Sequence, residues 1–258
     1  MFVTTAGRTN EVMINKAEAI AKELDIKYVM RNKRSVKALQ QVWQDDCIVV
    51  GKERLELFPF GEKYPFFFHP NSSMFRIKRL MAGDRDPFVE ACQLTVGNSI
   101  LDCTLGLASD SIVASYVVGQ TGKVVGIEGN RFLAYLVERG LQSWESGIPK
   151  MDEALRRIEV VQTLSVEYLK SQPDSSFDIV YLDPMFEEHI LESDGILGLS
   201  KMAVYEDITV EMMTQAKRVA KKRIVLKDHF RSERFAKYGF QVHRRKTSKF
   251  HFGVKQIQ

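Results

Sequence analysis

The chain is poor in cysteine, with three among 258 residues, and none of them stands in a C-x-x-C pair. Zinc sites and disulfide frameworks need several cysteines at fixed spacing, so the sequence supports neither. We therefore expect Cys47, Cys92 and Cys103 to be buried free thiols in a reducing compartment, which predicts a cytoplasmic protein.

Long apolar runs are missing as well. No stretch approaches the roughly 18 apolar residues that a membrane span requires, and the first residues lack the layout of a signal peptide. We expect no membrane partner. With 45% hydrophobic and 27% charged residues, the composition is that of a globular protein with a sizeable core.

Several common catalytic signatures are also absent, namely G-x-G-x-x-G for dinucleotides, G-x-S-x-G for hydrolases and H-E-x-x-H for zinc. The segment 187–204 has an acidic, histidine-containing start, but without the spacing of a tetrahedral metal site. We interpret it as a loop and expect no metal. The residues concerned are Glu187, Glu188, His189, Glu192 and Asp194.

The segment Ser99–Asp110 reads as a short strand, a glycine turn and the start of a helix. Gly106 would let the backbone approach a ligand closely, and the helix would offer its first N–H groups. A second strand ends at Glu128, 22 residues after Gly106, near the spacing at which an acid binds ribose hydroxyls. Asp102 and Asp110 flank the turn and would repel a pyrophosphate. They favour a cationic amino-acid ligand, such as S-adenosylmethionine, over NAD.

The string Asp183-Pro184-Met185-Phe186 follows the apolar run Phe177–Leu182. An acid, a proline turn and an aromatic ring at the end of a buried strand make a platform for the exocyclic amine of a base. The acid and a backbone carbonyl would hold the amine, and the ring would stack on the base.

With these motifs the chain resembles the RsmJ-type ribosomal small-subunit RNA methyltransferases, over roughly residues 70–258 and most firmly over 98–186. The matching residues are Asp102, Thr104, Gly106, Asp110, Glu128 and Asp183-Pro184-Met185-Phe186. The resemblance implies a class I methyltransferase fold and transfer of a methyl group from S-adenosylmethionine to guanine N2. It implies catalytic roles for Asp183, Pro184, Met185 and Phe186, and cofactor contacts from Ser109, Asp110, Glu128, Gly129, Ser165 and Asp183. Gly129 departs from the charged residue that is usual there.

Strand and helix patterns alternate from residue 98 onward, which predicts an α/β, Rossmann-like fold. The domains expected are a small α/β N-terminal subdomain (1–65), a connecting segment (66–97) and the methyltransferase domain (98–258). The last has seven predicted strands and ends in an antiparallel edge hairpin. Asn130 and Gly140 are predicted to begin and end one of its helices. The strands predicted are 99–102, 123–127, 158–163, 177–182, 222–227, 240–245 and 249–255.

Charge is distributed unevenly. Residues 91–216 have 8 Lys and Arg against 19 Asp and Glu, whereas residues 217–258 have 14 against 2. A cationic tail on an acidic catalytic part predicts binding to RNA phosphates. The candidate RNA-binding residues are Arg76, Lys78, Arg79, Arg244, Arg245 and Lys246, with Lys217, Arg218, Lys221, Lys222 and Lys249 as further tail cations.

Other functions stay open on the sequence. Within methyltransferases, the amine could belong to a DNA base or a small molecule. A nucleotide-dependent oxidoreductase fits poorly because Gly106 stands alone where three glycines are needed. The chain could also be a non-enzymatic RNA-binding protein with a degenerate fold, but the intact acids at three strand ends argue against that hypothesis.

Overall fold

The computed structural model describes residues 1–184, 207–246 and 248–257. Two predicted features lie outside the described residues: the pair Met185 and Phe186, and the loop predicted over 187–204. The chain divides into two compact units, of which the first comprises Met1–His69 and the second begins at Pro70.

The first unit is a four-stranded sheet with two helices. Its strand order is β2-β1-β3-β4, with β4 antiparallel to the other strands. Asn10 caps the first helix, because its side chain accepts a hydrogen bond from the Met13 N–H. The elements are β1 (Phe2–Thr5), α1 (Glu11–Glu23), β2 (Lys27–Tyr28), α2 (Val36–Trp43), β3 (Cys47–Val50) and β4 (Leu55–Phe58).

The predicted connecting segment, 66–97, begins with three phenylalanines, of which two fill the core. Phe66 and Phe68 are buried, while the half-buried Phe67 lies 3.7 Å from the Arg54 guanidinium. The remainder of this segment holds two helices of the second unit, α3 (Asn71–Met81) and α4 (Pro87–Cys92).

The second unit is built on a seven-stranded sheet, and the described part of the unit surrounds it with helices. The strands are β5 (Ser99–Asp102), β6 (Lys123–Glu128), β7 (Ile158–Gln162), β8 (Phe177–Leu182), β9 (Ala220–His229), β10 (Gln241–His243) and β11 (Phe250–Gln256). The helices after α4 are α5 (Ser109–Val118), α6 (Arg131–Ser143), α7 (Pro149–Arg156), α8 (Ser165–Ser171), α9 (Val210–Val219) and α10 (Arg234–Lys237).

The strand order is β10-β11-β9-β8-β5-β6-β7. Neighbours from β7 to β9 run parallel, and β11 runs antiparallel to both β9 and β10. The predicted seven-stranded sheet with an antiparallel edge hairpin is therefore confirmed. Because β11 is inserted between β9 and β10, the turn that joins β10 to β11 lies at the carboxyl edge of the parallel strands.

One helix boundary was predicted wrongly. Asn130 caps α6 through hydrogen bonds from Phe132 and Leu133, as expected. Gly140 does not end the helix, which continues to Ser143. Leu141 is fully buried, and its packing outweighs the modest cost of a glycine inside a helix.

The core below the carboxyl edge is apolar and continuous. Leu101, Val125, Val180 and Leu226 stand on adjacent strands with no exposed surface, and α9 packs over them through Ala216 and two methionines. Cys47, Cys92 and Cys103 are buried free thiols, as predicted. No helix in the described ranges is long and apolar enough to span a membrane.

Candidate active site at the carboxyl edge of the sheet

Three predicted acids lie at the ends of neighbouring parallel strands. Asp102 ends β5, Glu128 ends β6, and Asp183 follows β8 directly. The first and third are joined through Thr104, whose hydroxyl accepts a hydrogen bond from the Asp183 N–H at 2.7 Å. The Thr104 N–H in turn donates to Asp102 Oδ1 at 3.0 Å. The turn after β5 is thus fixed to the end of β8.

Asp102 is buried, and its carboxylate binds the turn and the helix that follow it. Its Oδ2 accepts a hydrogen bond of 2.6 Å from the Ser111 hydroxyl, and its Oδ1 accepts from Thr104. Burial raises the pKa of Asp102 to about 7, with these hydrogen bonds opposing the rise. A cation near this carboxylate would favour its ionised form, so the site suits a positively charged ligand.

The glycine turn has left-handed backbone geometry. Gly106 has a φ of +49° and Ala108 a φ of +59°, which bend the chain sharply into α5. Ala108 offers no side-chain cap to the first N–H groups of that helix. Ser73 on α3 stabilises the end of the turn, because its hydroxyl donates a hydrogen bond to the Ser109 carbonyl at 2.9 Å.

Asp110, which the sequence placed among the cofactor contacts, is the centre of a buried ion-pair network. Its Oδ1 accepts from Arg76 at 2.6 Å, and its Oδ2 accepts from the Tyr181 hydroxyl at 2.8 Å and from Lys227 at 3.2 Å. Burial alone would raise the pKa of Asp110, but Lys227 and Arg76 hold it well below its usual range. Both carboxylate oxygens therefore already bind protein donors.

Arg76, predicted to contact RNA, is committed to the same network. It donates to both oxygens of Asp86, at 2.7 and 2.9 Å, in addition to Asp110. Its neighbours on α3 differ: Arg79 forms an exposed ion pair with Asp84 at 3.0 Å, and Lys78 is exposed. The structure thus separates Arg76 from Lys78 and Arg79.

Lys227 links the network to Asp183. Its ammonium donates to Asp183 Oδ2 at 2.6 Å as well as to Asp110. The other oxygen, Asp183 Oδ1, is buried and has no hydrogen-bond partner among the described residues. Burial raises the pKa of Asp183, while Lys227 opposes that rise. An unsatisfied buried acceptor is costly, and a donor supplied by a ligand would satisfy it.

The remaining predicted cofactor residues lie around the ends of β6 and β7. Glu128 is 8% exposed, and its Oε1 accepts from the Asn130 N–H at 2.9 Å. The Gly129 carbonyl accepts from Gln162 at 3.2 Å. Ser165 begins α8 and donates to the Cys103 carbonyl at 2.6 Å, which joins that helix to the turn after β5.

Of the predicted catalytic string, the structure describes Asp183 and Pro184, and Pro184 is buried. The candidate RNA-binding residues Arg244, Arg245 and Lys246 lie in the β10–β11 turn, at the same edge of the sheet as Asp183.

Sequence reasoning overlooked three members of the network: Asp86, Tyr181 and Lys227. A signal existed for Lys227, because the predicted strand 222–227 ended on it, as other strands ended on acids. That Lys227 lies opposite Asp183 depends on the pairing of β8 with β9, and the sequence does not predict that pairing. Among the described residues, no group of His, Cys, Asp and Glu is arranged to hold a metal ion.

Comparisons with known proteins agree with this architecture. A family model described as "putative SAM-dependent methyltransferase" matches residues 32–253. The structure of the SAM-dependent methyltransferase NGO1261 from Neisseria gonorrhoeae superposes with a TM-score of 0.66, covering 99% of this chain and 96% of that chain. At 20% sequence identity, that likeness shows the class I methyltransferase fold alone.

Among curated proteins, YpiP of Bacillus subtilis, described as uncharacterized, is 47% identical over 99% of both chains. Ribosomal RNA small subunit methyltransferase J of Acinetobacter baumannii is 29% identical over 52% of each chain. Its namesake from Buchnera aphidicola is 31% identical over 50% of this chain and 51% of its own. Since the family model spans most of the sequence and the fold agrees with it, the chain belongs to the SAM-dependent methyltransferases and uses S-adenosylmethionine as its cofactor.

Proposed function

We propose that this enzyme methylates the exocyclic N2 amine of a guanine in small-subunit ribosomal RNA. The observation that carries the proposal is the buried Oδ1 of Asp183 at the carboxyl end of β8, which has no hydrogen-bond partner among the described residues. The similarity to the small-subunit RNA methyltransferases, over about half of each chain, supports ribosomal RNA as the substrate.

Bound S-adenosylmethionine supplies a methyl group on a sulfonium. We assign Glu128 to its ribose hydroxyls and the Asp102–Gly106 turn to its methionine part, with Ser165 beside the adenine. The donors and acceptors present fit such a ligand: a buried carboxylate at each of two strand ends and an uncapped helix start between them. Asp110 would act indirectly, since its oxygens are occupied by Arg76, Tyr181 and Lys227.

Asp183 would bind the amine and orient it for attack on the methyl group. The lone pair of an exocyclic guanine amine is delocalised into the ring, so the nitrogen is a poor nucleophile. Accepting its hydrogen at Oδ1, with a backbone carbonyl near Pro184 as second acceptor, orients the nitrogen and favours tetrahedral geometry. As the methyl group passes to the amine nitrogen, its bond to sulfur would break and leave a neutral thioether, and the amine would lose one proton to Asp183 or water. Phe186 would stack on the base.

The test is methyl transfer from tritiated cofactor to separate pools of small-subunit RNA, transfer RNA, DNA and metabolites. We expect incorporation into small-subunit RNA as N2-methylguanosine. Asp183→Ala should lower the rate on the order of 10²-fold or more, because the acceptor of the amine is lost. Affinity for S-adenosylhomocysteine, measured by calorimetry, should change much less.

Asp174→Ala is the matched control, because Asp174 is an exposed carboxylate paired with Arg218 on the surface of the same unit. It should leave transfer unchanged. Incorporation confined to DNA or metabolites would contradict the substrate, and full activity of Asp183→Ala would contradict the mechanism.

A further inference from the structure

A group of neighbouring rings, tilted by 50–56° to one another, continues the carboxyl edge of the sheet beyond Asp183. Phe230 follows the end of β9, and its ring centroid lies 4.6 Å from that of His229 and 6.1 Å from that of His251 on β11. The Arg231 guanidinium lies 5.1 Å from the Phe230 ring. We call these four residues the Phe230 platform.

Hydrogen bonds hold the platform in place. His251 is 8% exposed, and its Nδ1 accepts a hydrogen bond from the Arg245 N–H at 3.3 Å. The Phe230 N–H donates to the Lys249 carbonyl at 2.9 Å, so the backbone extends the β9–β11 pairing. On this support, 44% of the Phe230 surface remains exposed. A large apolar ring fixed in place and open to solvent is a typical recognition feature.

Its position is close to the proposed reaction centre. Lys227, which contacts Asp183 at 2.6 Å, is three residues before Phe230 on the same chain segment. The Cα atoms of Lys227 and Phe230 are therefore no more than about 11 Å apart. Because Lys227 pairs with Phe252 and Asp228 with His251, the Lys227 and His251 side chains lie on opposite faces of the sheet. A ligand longer than one nucleotide that places a base at Asp183 would reach the platform by crossing the carboxyl edge.

The charge around the rings is positive. The β10–β11 turn, which adjoins His251, brings the exposed Arg244 and Lys246 to this edge. The cations that adjoin the rings are Arg231 and four residues of the turn, Arg244, Arg245, Lys246 and Lys249, while the buried acid next to them, Asp228, is paired with Arg234 at 3.2 Å. Aromatic rings bordered by cations suit a polyanion that carries planar bases, whereas an apolar protein surface would gain little from the cations.

We propose that the Phe230 platform binds a nucleobase of single-stranded RNA next to the base that is methylated. The proposal rests on the proposed function and specifies the form of its substrate. A base within a duplex cannot present its face to a ring, so the strand must be a loop, an end or an unpaired segment. Phe230 supplies the stacking surface, and the cations of the β10–β11 turn contact the adjoining phosphates.

Binding of a single-stranded oligoribonucleotide that contains 2-aminopurine tests this, in the absence of cofactor. Stacking of that base on a ring quenches its fluorescence. We expect Phe230→Ala to weaken binding about fivefold or more and to abolish the quenching, while Phe230→Trp retains both. Phe60→Ala is the matched control, since Phe60 is 41% exposed but lies in the first unit, and it should bind like the wild type.

Unchanged affinity and quenching in Phe230→Ala would overturn the platform, and equal losses in Phe60→Ala would overturn its specificity. The failure of the proposed function gives a different result, namely that the wild-type enzyme transfers no methyl group to small-subunit RNA. The binding assay contains no transfer step, so the two failures can be told apart.

Discussion

At the scale of single residues, Lys227 decides how Asp183 is presented. The ammonium is shared between Asp183 and Asp110, and it occupies one oxygen of Asp183 while the other has no described partner. Other charged groups also act on Asp183. Asp110 and Asp228 raise its pKa, and Asp102 is a further acid nearby. Lys227 is therefore a positioning residue that keeps a buried acid ionised and oriented.

We expect Lys227→Met to shift the pH profile of methyl transfer. A carboxylate accepts the amine hydrogen only when ionised, so the rate falls as pH drops through the pKa of Asp183. Removing the cation raises that pKa further, and the acidic limb of kcat should move to higher pH by about one unit or more. Lys222→Met is the control, because Lys222 pairs with Asp178 at the opposite end of β9. An unmoved limb in Lys227→Met would exclude the coupling.

At the scale of elements, the close packing of the turn after β5 on β6 depends on Gly126. A Cβ built at Gly126 would lie 2.3 Å from Leu105 Cδ1 and 3.0 Å from its Cγ. Leu105 is 3% exposed and precedes Gly106, and its N–H donates to the Ile127 carbonyl at 3.0 Å. An added methyl group must therefore shift the buried Leu105 side chain, and since that side chain is closely packed, the shift strains the turn that carries it.

Gly126→Ala should accordingly reduce both stability and cofactor affinity. Overpacking of this kind costs about 1–3 kcal/mol in the free energy of unfolding, which urea denaturation measures. Calorimetry with S-adenosylhomocysteine should show weaker binding, because the Gly106 turn shifts with Leu105. Gly7→Ala, where an added Cβ meets nothing within 4 Å, should change neither. Wild-type affinity in a destabilised Gly126→Ala would separate the turn from the cofactor site.

At the scale of the whole second unit, the cationic tail divides between two edges of the sheet. Arg244 and Lys246 lie at the carboxyl edge with Asp183. Lys217 and Lys221 lie near the start of β9, which pairs with the start of β8 at the opposite edge. Arg218 there binds the carbonyls of Leu169 and Gln172 and has a structural role. The tail is therefore two surfaces, of which one adjoins the proposed reaction centre.

Reversing charge at the two edges should give different results. Replacing Arg244 and Lys246 by Glu should weaken RNA binding and flatten its salt dependence, since each lost single-strand phosphate contact removes about 0.7 from the log–log slope. The same replacement of Lys217 and Lys221 makes an equal change in net charge and should have a smaller effect. Affinity measured between low and moderate salt distinguishes them. Equal losses would mean that net charge, rather than its placement, governs binding.

The sequence by itself determined the succession of strands and helices along the chain and which strands end on acids. Apolar runs identify buried strands, and parallel strands bring their carboxyl ends to one edge, so the meeting of Asp102, Glu128 and Asp183 could be expected. The free, buried cysteines also followed from composition.

Only the tertiary structure decided which charges pair. The pairing of β8 with β9 places Lys227 against Asp183, and the packing of α3 against α5 lets Arg76 form an ion pair with Asp110. The insertion of β11 between β9 and β10 brings His251 to Phe230 and the basic turn to the active edge. These contacts join residues far apart in the chain. Strand order and register create them, and a pattern read along one dimension contains neither.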